Sequence, residues 1–124
     1  MLLKSPVMIT ARLMPGVQVG GAFVAIEYDD CRDNRGANMF RWYIDLGDQE
    51  FTGDGLSGWF GLQGGLELLL SFLHTFAESW RYAGADGENA DMFPAELAEW
   101  AMQNSDEIGM LQIELEETKG LIEE

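Results

Sequence analysis

The only histidine, His74, stands two helical turns after Glu67 and one turn before Glu78. On a helix the three share a face, and a carboxylate at i, i+4 can orient an imidazole for proton transfer or begin a metal site. One histidine and one cysteine cannot complete a zinc set, so the expectation is a solvated pair on the polar side of a helix. Gly53-Asp54-Gly55-Leu56-Ser57-Gly58 spells G-x-G-x-x-G, the spacing with which dinucleotide-binding folds bring backbone against pyrophosphate. No parallel βαβ unit precedes it and Asp54 would face the phosphate, which leaves turn glycines as the expectation. Cys31 lies between Asp30 and Arg32 with Arg35 nearby. The acids oppose thiolate formation and no base is close in sequence, so an inert thiol is expected. Asp86, Glu88 and Asp91 lack the glycine and closing glutamate of a calcium loop. No catalytic residue, metal site or cofactor is expected.

What remains is charge. The chain has 124 residues, 22 Asp and Glu against 7 Lys and Arg, and a formal net charge of −15. Residues 1–41 hold five cations (Lys4, Arg12, Arg32, Arg35, Arg41) and four anions (Glu27, Asp29, Asp30, Asp33), a net of +1. Residues 42–124 hold Arg81 and Lys119 against 18 acids, a net of −16. Such a field repels nucleic acid and anionic lipid, which bind through cations, and attracts basic surfaces. Glu96, Glu99, Asp106, Glu107, Glu114, Glu116, Glu117, Glu123 and Glu124 crowd the last 29 residues, with Lys119 the one cation among them. Helix neighbours three or four apart lie about 5–6 Å from each other, a spacing comparable with that of phosphates along a strand. Such a surface can fill a basic nucleic-acid channel; a purely solubilising surface and halophilic adaptation are the alternatives. The candidate partner-binding residues are Glu96, Glu99, Asp106, Glu107, Glu114 and Glu117, with exposed aromatics such as Trp59 or Tyr82 as anchors.

These residues must be positioned by a folded chain. Apolar residues make up 47% and aromatics 11%, enough to offset the ordering entropy of one domain of this length. The apolar runs are far shorter than the roughly 20 residues of a membrane span. Met1-Leu2-Leu3-Lys4-Ser5-Pro6 does not read as a signal peptide, and a lone cysteine suits a reducing compartment, so a cytoplasmic protein is expected.

Val7, Ile9, Ala11 and Leu13 alternate with Met8, Thr10 and Arg12, a strand ended by a turn at Pro15-Gly16. Val17 to Tyr28 reads as a strand with a bulge or bend at Gly20-Gly21, and Asp29 to Gly36 as a polar hairpin loop. Met39 to Leu46 follows, with Phe40, Trp42 and Ile44 on one face and Met39, Arg41, Tyr43 and Asp45 on the other. A short segment around Phe51 completes three or four antiparallel strands, the strand-rich part spanning 5–52. Residues 53–65 carry six glycines around Trp59 and Phe60 and read as an ordered, ring-anchored loop.

Helices are expected over 66–118. Leu62, Leu66, Leu69, Leu73, Phe76 and Trp80 advance by four and three along one helix face, which should end near Gly84. Pro94 suits the first turn of a second helix, with Leu97, Trp100 and Ala101 buried. Asn104 and Glu107 have the spacing of a capping box for a third, with Ile108, Leu111 and Leu115 inward. Gly109 weakens that helix, so Met110 to Leu115 reads equally as a strand. Strands first and helices after predict a single α+β domain over 1–124, helices packed on one face of an antiparallel sheet.

Leu66-Glu67-Leu68-Leu69-Leu70-Ser71-Phe72-Leu73, followed by Glu88-Asn89-Ala90-Asp91-Met92-Phe93-Pro94, has the look of mobile-element proteins. Over residues 38–117 the chain resembles the small acidic inhibitors of phages and mobile elements, the anti-CRISPR and anti-restriction proteins that imitate DNA. The resemblance is one of whole-chain character and carries no functional residue. It implies a partner: a basic surface on a host nuclease or CRISPR effector. Three functions follow as expectations: such an inhibitor in a bacterial cytoplasm, not an enzyme; an immunity or antitoxin-like protein for one cognate toxin; or a small enzyme using His74 and Glu78. Exposed apolar residues also leave a homodimer open.

Overall fold

A computed structural model describes residues 4–9, 12–86 and 93–118. Five strands form one antiparallel sheet in sequential order: β1 (Lys4–Ile9), β2 (Arg12–Val19), β3 (Ala22–Arg32), β4 (Asn38–Asp45) and β5 (Glu50–Gly58). Three helices follow: α1 (Leu62–Ala83), α2 (Ala95–Gln103) and α3 (Ser105–Thr118), with a short 3-10 turn at Gly84–Asp86 after α1. The α+β class is as expected, with one strand more than the three or four read from sequence.

The extra strand comes from Val17 to Tyr28, which is the end of β2 and most of β3 rather than one strand. Pro15-Gly16 does not turn the chain but runs within β2, whose Arg12 pairs with Ile9 of β1; Thr10 and Ala11 fall outside the described residues. Gly16 is there for closeness, since a Cβ on it would lie 2.2 Å from the carbonyl oxygen of Val24 across the ladder. Half of the expected glycine-rich loop is β5. Gly53 faces the Trp42 indole, where a Cβ would come within 2.5 Å of the ring, and Gly58 lies equally close to the Phe60 ring. These glycines admit aromatic rings against a strand rather than loosen it.

The hairpins follow turn chemistry. Val19 pairs with Ala22, so Gly20-Gly21 is a two-residue loop rather than a bulge, with Gly20 at φ +60°. β3 runs on to Arg32, deep into the expected loop, and the turn is only Asp33 to Ala37. There the Asp33 carboxylate accepts from the backbone N–H of Arg35 and of Ala37, both at 2.9 Å.

Phe40, Trp42 and Ile44 are buried as the alternation of β4 predicts, and with Val24 and Ile26 they form the sheet's contribution to the main core. Leu66, Leu69, Leu73 and Phe76 of α1 are fully buried, and Leu62 and Trp80 border them. Gly65 lets the helix approach, because a Cβ there would lie 2.9 Å from Ile26. α1 buries more than one stripe: Gln63, Leu70 and Ala77 are also enclosed.

The reason is α3, which lies antiparallel on α1, with Ser105 at Arg81, Gly109 at His74 and Leu115 at Gln63. Met110 to Leu115 is therefore helix, and Gly109 is the contact point rather than a breaker. Ile108 and Leu115 are buried and Leu111 is partly so, as expected; in α2 it is Leu97, Ala98 and Ala101 that are buried, while Trp100 is half-buried. The opposite face of the sheet holds a smaller cluster of Phe23, Ala25 and Tyr43.

Candidate functional site

α2 and α3 carry seven acids, Glu96, Glu99, Asp106, Glu107, Glu114, Glu116 and Glu117, and no Lys or Arg. All seven are exposed. The burial pattern makes this inevitable: Leu97, Ala98, Ala101, Ile108 and Leu115 take the inward positions, and the acids fall on what is left.

The capping box does not form. Asn104 Nδ2 donates to the Trp100 carbonyl at 2.8 Å, and Glu107 Oε1 instead accepts the Gly20 backbone N–H at 3.2 Å. Trp100 Nε1 donates to the Val19 carbonyl at 3.4 Å, so the α2–α3 junction clasps the β2–β3 hairpin. At the far end Gln63 Nε2 donates to the Leu115 carbonyl at 2.9 Å. α3 is thus held at both ends with its acidic face outward.

Sequence reasoning missed two members of that face. Met110 is 71% exposed and Ile113 52%, and with Asp106 and Glu117 they advance by four, three and four along one stripe. The outer side of α3 is therefore two apolar side chains between acids. The same periodicity that set Ile108, Leu111 and Leu115 inward leaves these positions outside, so the signal was present. Both anchors named from sequence are exposed, Trp59 at 71% and Tyr82 at 82%.

Trp59 does not join the α2 acids. It stands after β5, where Asn38 Nδ2 holds the chain through the Phe60 carbonyl at 2.9 Å. Here a groove of about 520 Å³ runs between the sheet end and the helices, lined by Tyr28, Asn38, Trp59, Phe60, Glu67 and Gln112 among others. Tyr28, Phe40 and Phe60 stack in series with centroids 5.4 and 5.5 Å apart, so the groove's aromatic wall continues into the core.

The other candidates disperse. The face with Glu67, Ser71, His74 and Glu78 is half-buried rather than solvated, because α3 crosses it and Gly109 abuts the His74 ring. Glu78 is engaged by Arg81 at 2.6 Å, and Arg81 also donates to Ser105 Oγ and the Met102 carbonyl. Cys31 is an exposed free thiol. The G-x-G-x-x-G letters fall within β5 and its end, not before a phosphate-binding helix turn. Glu88 and Asp91 lie outside the described residues. Among the described residues no three His, Cys, Asp or Glu side chains gather as for a metal, and no helix is long and apolar enough to cross a membrane.

The outer face of the sheet shows the contrary electrostatics. Arg41 lies 3.8 Å from Glu27 and 3.6 Å from Asp29, and the Tyr43 hydroxyl donates to Glu27 at 3.1 Å. Tyr43 first, then Asp29, hold the Arg41 guanidinium charged beyond its ordinary range. The Ala37 N–H, and after it the Arg35 N–H and charge, keep the Asp33 carboxyl below the usual carboxylate range. No protein-family model, curated protein or solved structure matches this chain.

Proposed function

We propose that this chain is an acidic binding protein that inhibits a host nucleic-acid-binding defence complex, in the manner of an anti-CRISPR or DNA mimic, by occupying its basic surface. The observation that carries the reading is the exposure of all seven acids of α2 and α3 on helices that contain no cation. Such a surface raises the encounter rate with a cationic channel and excludes phosphate from it. Met110 and Ile113 supply the apolar contact that long-range attraction alone lacks. The action is occlusion in the cytoplasm of a bacterial host, with no catalysis and no direct nucleic-acid contact. Two copies meeting through α3 would set acids against acids, so the charge favours a basic partner over a homodimer on this face.

The test is to add the purified chain to bacterial CRISPR effectors and restriction nucleases and to measure nucleic-acid binding and cleavage. Loss of nucleic-acid binding by at least one effector, relieved as salt rises from about 0.05 to about 0.5 M, is the expected result. Inhibition of none, or tight capture of one toxin instead, overturns the reading in favour of the toxin-neutralising alternative or of a merely solubilising surface.

A further inference from the structure

We infer that the groove between Trp59 and α1 is a receptor for an arginine side chain of the basic partner protein; this rests on the reading above and names its anchoring contact. The walls are aromatic and open: Trp59 is 71% and Tyr28 47% exposed, with the Phe60 ring beside them. Glu67 is the one charged residue among the described lining residues, and Asn38, Ser71 and Gln112 add polar groups. Aromatic rings and acceptor groups lining one groove are the chemistry that takes a guanidinium, which stacks on rings while its N–H groups reach acceptors.

The geometry is built rather than incidental. Asn38 ties down the Phe60 carbonyl. A Cβ on Gly64 would come within 2.8 Å of Phe60, and one on Gly36 would lie 3.8 Å from the Trp59 ring. α3 closes the far side through Gln112, adjoining exposed Ile113 and Glu114 on the acidic helix. Arg32 lines only the adjoining cleft, where it donates to the Gly36 carbonyl at 3.1 Å.

Other occupants fit less well. A nucleotide brings phosphate to a chain of net charge −15. A second copy carries the same charge. A neutral proline-rich peptide would use the rings but has no charge complementary to the acidic groove.

The experiment needs no partner. The full chain is titrated with acetyl-Gly-Arg-Gly-amide, and with the same tripeptide carrying neutral citrulline, while the side-chain amide N–H of Gln112, which lines the groove and is kept in every variant, is followed by two-dimensional NMR. The arginine peptide is expected to shift that resonance saturably, and citrulline to bind about tenfold more weakly. Trp59→Ala should lower arginine affinity about tenfold and Glu67→Gln by severalfold, with Trp59→Phe retaining most of it and Gln18→Ala, on β2, changing nothing. Equal binding of citrulline, no shift with arginine, or full binding by the Trp59→Ala chain overturns the inference. The same outcomes beside salt-dependent effector inhibition would leave the acidic-surface reading standing. Arginine binding without any inhibited effector would do the reverse.

Discussion

The two charged regions of this molecule handle their acids in opposite ways. On the sheet, Glu27 and Asp29 flank Arg41, Tyr43 bonds Glu27, and Asp33 closes its own turn. On α2 and α3, seven exposed acids share helices without a cation, and Glu107 accepts from the Gly20 N–H. The first arrangement uses charge to hold strands in register. The second leaves charge facing outward at a cost in self-repulsion, which fits the proposed role as a surface for a basic partner.

The largest expected effect breaks the second region alone. Glu99→Lys, Glu114→Lys and Glu117→Lys together should weaken binding to a basic effector by about 100-fold or more, read by titration calorimetry. The melting temperature should hold or rise, because like charges are removed. Next comes the fastening of α3. Gln63→Ala removes a fully buried amide and its hydrogen bond to the Leu115 carbonyl, so urea unfolding should show a loss of about 1–3 kcal/mol. Tyr43→Phe, on the sheet, should cost about 1 kcal/mol in the same assay, by removing one hydrogen bond to Glu27 while Arg41 stays beside it.

Salt should separate the regions further. Raising NaCl from about 0.05 to about 0.5 M should lift the native melting temperature by roughly 1–3 °C by screening the helical acids. The triple lysine variant should gain less. The smallest effect is in the Asp33 turn. Its carboxyl is held below the ordinary 3.8, so its stabilisation is complete above that value and fades as pH falls through the lowered one. Asp33→Ala should therefore melt below the native protein at pH 7, with the gap closing in acid.

Sequence periodicity revealed the faces that β4 and α1 turn toward the main core, though not Tyr43, Leu70 and Ala77, which are buried as well. The alternation of β4 and the four-three spacing of α1 both predicted their core faces, because each packs on a single apolar layer there. Where two influences met, it failed. Gly53 and Gly58 read as loop residues, yet they are small because Trp42 and Phe60 lie over the strand. The His74 face reads as solvated because its residues are polar, and nothing local announces that a second helix will cross it at Gly109. Asn104 and Glu107 have capping spacing, but the hairpin backbone at Gly20 captures the glutamate. Of the candidate site, the acids and both aromatics were legible as exposed. Met110 and Ile113 were not singled out, and the groove beside Trp59 needed the packing of β5, α1 and α3 to exist.

The central claim is that the acids of α2 and α3 exist for a basic partner. Its most direct test is inhibition of nucleic-acid binding by a purified CRISPR effector or restriction nuclease, measured across salt for the native chain and the triple lysine variant. Inhibition by the native chain should weaken at least tenfold between about 0.05 and about 0.5 M NaCl, and the variant should not inhibit. Inhibition of equal strength by both chains, or by neither, would contradict it.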